Sequence, residues 1–191
     1  LPANYKPDIL SASVTAGNGV HLHWNGNANA ASYHLYRGRE ANAMVPLVGI
    51  TDTAYDDADV NASLNSWYYY VEATDSCGTV LKGATAKTIC LRAQDHSSLS
   101  RCLVWNDYEG WNAGVNSYSL EKAEDKGFYP LSSTPYTSSL DDDSREDIRS
   151  DSVCYRVIAH EQGGPAQSFS NRLCLSYPPV LWIPDDFSDR K

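Results

Sequence analysis

Three short stretches occur twice along this chain, in the same order. Leu22-His-Trp24 is matched by Leu103-Val-Trp105, Ser32-Tyr-His-Leu-Tyr-Arg37 by Ser117-Tyr-Ser-Leu-Glu-Lys122, and Trp67-Tyr-Tyr-Tyr-Val-Glu-Ala73 by Val153-Cys-Tyr-Arg-Val-Ile-Ala159. The spacing between matched positions drifts only by loop length. A pattern repeated in order implies a repeated structural unit. The 191 residues suit two small domains better than one irregular large one. We read 1–91 and 92–178 as the two units and 179–191 as a C-terminal segment. The seam falls near Thr88-Ile-Cys-Leu-Arg-Ala93, where one strand runs into the next unit.

Each repeated stretch alternates with a period of two, the signature of a half-buried strand. Val20, Leu22 and Trp24 face inward and His21 and His23 outward. Tyr33 and Leu35 share a face, as do Trp67, Tyr69, Val71 and Ala73. Turn residues such as Asn25-Gly-Asn-Ala-Asn29 separate these runs, and no long segment has apolar residues at helical spacing. Thirteen tyrosines against one methionine and three phenylalanines favour strands. The expected fold is all-β, two tandem antiparallel sandwiches.

A net charge of −9 disfavours phosphate backbones, so nucleic acid is not an expected partner. No apolar run nears the ~20 residues that span a bilayer, and no signal peptide is visible. The chain starts at Leu1, and we read it as a processed or excised piece of something longer.

The strand pattern resembles the fibronectin type III fold, within the immunoglobulin-like sandwiches. The tryptophan of the second strand, the Tyr-x-Leu of the third and the Tyr-x-Val-x-Ala of the sixth carry the resemblance. Trp67 and Val153 stand where that family carries its corner tyrosine, so the usual corner donor is missing in both copies. The second half and tail resemble the segment preceding the gliding-motility-associated C-terminal domain of Bacteroidota proteins exported by type IX secretion. WNDYEGW, SYSLEK, CYRVIAHE, SNRLC and Trp182-Ile-Pro-Asp-Asp-Phe187 carry that likeness, with Asp185 and Asp186 in place of the usual Asn and Ala.

The resemblance implies a non-catalytic stalk, spacer or adhesive segment of an exported surface protein, extracellular or on the cell surface. Its partners would be the other domains of the parent chain. A nearly continuous strand at the seam would make the pair a fairly stiff rod. The alternatives are a glycan-binding accessory module of a secreted carbohydrate-active enzyme, and a docking module of the export machinery that accepts a partner strand at an exposed edge.

Trp105-Asn-Asp-Tyr-Glu-Gly-Trp111 is the densest aromatic cluster. Trp105 is read as core. Tyr108 and Trp111 either pack at a fold corner or the seam, or serve as ligand-contact aromatics for a sugar. The glycan reading requires Tyr108, Trp111, Tyr36 and Tyr68 to lie exposed in one plane. Glu109 has no visible carboxylate partner. No catalytic residue is assigned, because no nucleophile motif or phosphate loop occurs. No cofactor or metal is assigned either. His21, His23 and His34 lie on two sheets and cannot converge, and the role of His160 is not readable. Asp141-Asp-Asp143 with Glu146 and Asp147, and Asp56 to Asp59, are read as solvated loops, with calcium as the alternative. Thr53 and Ser152 fit a short bacterial O-glycosylation pattern, with strand burial as an obstacle at Ser152, and Asn61-Ala-Ser63 fits an N-glycosylation sequon.

Five cysteines form no CxxC pair. Facing residues of an antiparallel hairpin step in opposite directions, so the turn position fixes the pairs. A turn over Gln162 to Pro165 sets Cys154 opposite Cys174. A turn over Asp95 to Ser98 sets Cys90 opposite Cys102. We expect both disulfides, with buried free thiols as the alternative, and Cys77 left free or paired outside the chain. Such bridges imply an oxidising setting.

Overall fold

The structure is a computed structural model, and it describes residues 1–2, 4–97, 100–124, 127–134, 140–142 and 152–176. The segment 179–191, with its Trp182–Phe187 motif, lies outside the described residues, as do Asp143, Glu146 and Asp147.

Eight strands come first: β1 (Ile9–Val14), β2 (Val20–Trp24), β3 (Ala30–Gly38), β4 (Met44–Ile50), β5 (Ala54–Asp57), β6 (Tyr68–Asp75), β7 (Val80–Lys82) and β8 (Ala86–Lys87). Eight more follow: β9 (Leu91–Ser97), β10 (Ser100–Trp105), β11 (Val115–Glu124), β12 (Gly127–Thr134), β13 (Leu140–Asp142), β14 (Ser152–Glu161), β15 (Gln167–Phe169) and β16 (Leu173–Ser176). The first eight form a β1-β2-β5 sheet and a β4-β3-β6-β7 sheet in which β8 also pairs with β6. The second eight repeat this as β13-β10-β9 and β12-β11-β14-β15, with β16 also on β14. All pairings are antiparallel. The fold is thus all-β, with the fibronectin type III-like strand order in each half.

The alternation explains the cores. Val20, Leu22, Trp24, Tyr33, Leu35, Tyr69, Val71 and Ala73 are all buried, while His21, His23 and His34 are exposed. Trp24 meets Tyr33 edge-on at 5.7 Å, and the equivalent Trp105 meets Tyr118 at 6.0 Å. Such aromatic pairs add about 1 kcal/mol each to the burial itself.

The two outer edges share a protective device. Pro46 in β4 lies opposite Tyr36, beside a register shift, and Pro130 in β12 lies opposite Glu121, beside the corresponding shift. Proline removes a ladder donor and a bulge twists the edge away, which disfavours addition of a foreign strand.

Candidate functional site

The connector between the halves is held by side chains acting as backbone. Asn106 accepts from the Cys90 N–H (2.8 Å) and donates to the Thr88 carbonyl (3.0 Å). Asn171 accepts from the Leu91 N–H (2.7 Å) and donates to the Leu91 carbonyl (3.0 Å). The Thr88 N–H donates to the Trp67 carbonyl, and the Thr88 hydroxyl oxygen accepts from the Trp67 N–H. β8 ends at Lys87 and β9 begins at Leu91, so the expected continuous strand is interrupted. The polar groups freed by that break are satisfied by the two asparagines, as buried backbone requires.

The loop after β10 then lies along the first half. The Lys87 N–H donates to the Glu109 carbonyl at 2.9 Å, and their side chains form a 3.2 Å ion pair. Gly110 has a φ of +136°, and a Cβ there would come within 2.8 Å of the Ala86 Cβ, so only glycine fits this crossing. The Tyr108 and Trp111 rings pack at 4.2 Å with their planes tilted by 44°, and the Trp111 indole N–H donates to the Leu10 carbonyl at 2.9 Å. Farther along, the Ala12 N–H donates to Ser168 Oγ (3.0 Å) and the Phe169 N–H to Ser13 Oγ (3.2 Å), joining β1 to β15. The contact runs along β1 and β8, not across one narrow joint as a simple rod would have it.

This placement corrects the ligand reading of WNDYEGW. Tyr108 is 4% exposed and Trp111 9%, so neither offers a face to a ligand. Burial raises the Tyr108 hydroxyl pKa far above the tyrosine range. Tyr36 and Tyr68 lie elsewhere, half-buried on the outer face of β3 and β6. Tyr36 stacks flat on Tyr70 at 4.5 Å, the Lys82 ammonium sits 3.6 Å over the Tyr70 ring, and the Lys87 ammonium lies 5.2 Å from Tyr68. With Tyr108 and Trp111 buried, the four aromatics form no exposed platform.

The cysteines divide. Cys154 pairs with Cys174 across β14 and β16, and the two are disulfide-bonded. Cys90 and Cys102 are buried free thiols, which corrects the second expected bridge. In β9–β10, Cys102 faces Gln94 and Trp105 faces Leu91, with a register shift at Ser100/Arg101. That register carries Cys90 past the end of the ladder, where its N–H meets Asn106. Cys77 is free and exposed.

One group was missed by the sequence reading. Asp57, 1% exposed, receives both bonds of the Arg37 guanidinium (2.7 and 2.9 Å) and the hydroxyl of Tyr69 (2.8 Å). Burial first, then the bond to Asp57, raises the Tyr69 pKa far above its usual value. Arg37 also lies 5.5 Å from the Trp67 ring. The Tyr69–Asp57 bond supplies a side-chain tie at the end of β5, two positions on from the missing corner tyrosine. Asp57 is therefore committed to a buried ion pair and is not a solvated loop residue. The signal was present, since Arg37 lies on the inward face of Tyr33 and Leu35.

The remaining candidates are isolated. His21 contacts Asp56 at 2.7 Å on the exposed face, and no cluster of three metal-ligating side chains occurs among the described residues. His160 lies between Ser119 Oγ (2.8 Å) and the Gln167 amide (3.2 Å). Thr53 is half-buried, its carbonyl accepting from the Trp24 N–H. Ser152 is exposed at the start of β14, contrary to the expected burial. Asn61 is exposed, with its side-chain oxygen accepting from the N–H and hydroxyl of Ser63.

No family model matches the chain, and no curated protein does. Among solved structures, a fibronectin type III-like protein from Clostridium thermocellum is 28% identical over 44% of this chain and 92% of its own, with a TM-score of 0.37. The chicken CNTN1 FN1–FN3 domains are 13% identical over 91% of this chain and 64% of theirs, with a TM-score of 0.36. The strand order of the two halves defines the class: an all-β chain of tandem sandwiches with fibronectin type III-like topology.

Proposed function

We propose that the chain is a non-catalytic spacer segment of an exported cell-surface protein. The observation that carries this reading is the seam. Two sandwiches, taken as 1–91 and 92–178, are joined through a side-chain-clamped connector and a buried Tyr108–Trp111 pair. A segment built this way transmits position and force between the regions it joins. The Cys154–Cys174 bridge supports an oxidising, extracytoplasmic setting. In the finer reading the tail at Trp182–Phe187 leads toward a type IX sorting domain, and the parent protein serves adhesion or gliding.

Labelling of intact source cells with antibodies against 1–178, with and without protease shaving, tests the reading. Surface label that protease removes is expected. Label seen only after lysis would overturn the surface assignment.

A further inference from the structure

A cleft of about 540 Å³ opens where the segment before β1, the turn after β2 and the loop after β10 meet. Tyr5, Lys6, Asp8, Asn25, Asn27 and Asn112 line it. It therefore draws on both halves of the chain, with Asn112 from the second. Its size lies within the range of small-molecule sites, about 300–1,000 Å³.

The walls are pre-organised. The Tyr5 hydroxyl donates to the Asn25 carbonyl at 2.9 Å, which fixes the half-buried ring. The Asn27 N–H donates to the Tyr33 hydroxyl (2.8 Å), and the Asn27 side-chain oxygen accepts from the Asn29 N–H (2.9 Å). That leaves the two donors of its amide nitrogen without a partner among the described residues. Asp8 accepts from the Ala84 N–H (2.7 Å) through one oxygen and from the Asn112 amide (3.3 Å) through the other. The Asn25 side-chain oxygen is shielded from solvent and no protein donor reaches it.

The chemistry narrows the ligand. Three amides and a carboxylate offer planar, paired donors and acceptors, which suit neighbouring hydroxyls. Lys6 and Asp8 offset one another, so the cleft favours neither an anion nor a cation. A tyrosine ring gives one apolar face for C–H groups. We propose that this cleft binds a neutral saccharide. The site is distinct from the WNDYEGW aromatics and goes beyond the spacer reading, which does not depend on it.

The test is an NMR titration of the ¹⁵N-labelled chain with a panel of neutral disaccharides of gluco, manno, galacto and xylo type. It follows the side-chain amides of Asn25, Asn27 and Asn112. Saturable shifts at these amides with at least one sugar are expected. Asn27→Ala, which touches no seam contact, should weaken binding about tenfold, the loss of one to two hydrogen bonds. Asn112→Ala should weaken it comparably, with the thermal midpoint recorded to separate loss of binding from loosening of the seam. No saturable shift with any sugar, or binding that Asn27→Ala leaves unchanged, would each overturn the proposal.

Discussion

The indole N–H of Trp111 donates to the carbonyl of Leu10 at 2.9 Å, across 101 positions of sequence. It is a bond from the second half of the chain to the first strand. The ring that makes it is buried and packed against Tyr108. Trp111→Phe keeps most of the apolar area and loses the donor, so it should cost about 1 kcal/mol. Trp111→Ala also leaves a cavity and should cost about 3–5 kcal/mol. Because the ring contacts both halves, calorimetry should show the alanine variant unfolding in two separated transitions where the parent shows one. A parent that already unfolds in two independent steps would contradict a coupling seam.

Asp57 is a buried charge whose partners are Arg37 and Tyr69. Removing one member of a buried pair leaves the other charge stranded, so Asp57→Ala should cost about 3–5 kcal/mol. Tyr69→Phe removes a bond to a charged acceptor and should cost about 1.5–3 kcal/mol. Arg37→Met with Asp57→Leu removes both charges and should recover most of the loss. Urea denaturation of the three variants measures this. A double variant as unstable as Asp57→Ala alone would show that the pair is not the reason for the cost.

The strands were legible because alternation is local. Val20, Leu22 and Trp24 declare an inward face without reference to any partner. The Cys154–Cys174 pairing was legible because the turn after β14 is marked by Gly163 and Gly164. The β9–β10 hairpin has no such mark. Its ladder runs on through Asp95 opposite Arg101 to Ser97 opposite Ser100, past the expected turn, so Cys102 meets Gln94 and not Cys90. The partner of Trp111 was illegible for another reason. Leu10 offers only a backbone carbonyl, and nothing in its side chain advertises that bond. Arg37 could have been read, since a charge on an inward face demands a buried counter-charge.

Tyr118 gives a pH dependence with a definite sign. Its hydroxyl accepts from the Tyr108 N–H at 3.0 Å. Burial, opposed by that bond and aided by Asp107, pushes its pKa up to about 12. The folded value is above the unfolded value of about 10, so the fold favours the protonated phenol. Its contribution is therefore complete below about pH 10 and is lost as pH rises from there toward 12, by about 1.4 kcal/mol per pH unit. Tyr118→Phe should start less stable by about 1 kcal/mol and lose stability less steeply above pH 10. Urea midpoints from pH 8 to 12 compare the two slopes. Parallel slopes would remove Tyr118 as a source of alkaline instability.

The three kinds of cysteine should react in three ways. Cys77 is exposed and should react with a thiol reagent at once. Cys90 and Cys102 are buried and should react only as the chain unfolds. Cys154 and Cys174 should react only after reduction. The bridge closes a span of 20 residues, so its reduction should cost about 3 kcal/mol through the freedom returned to the unfolded chain. Mass spectrometry of the oxidised, unfolded chain should then find one disulfide and three free thiols, once any mixed disulfide at Cys77 is removed. A second bridge between Cys90 and Cys102 would require β9 and β10 to slip from the observed register. Such a slip is four positions along the ladder and would part Leu91 from Trp105 and Leu103 from Ala93, so the free thiols and the observed pairing stand together.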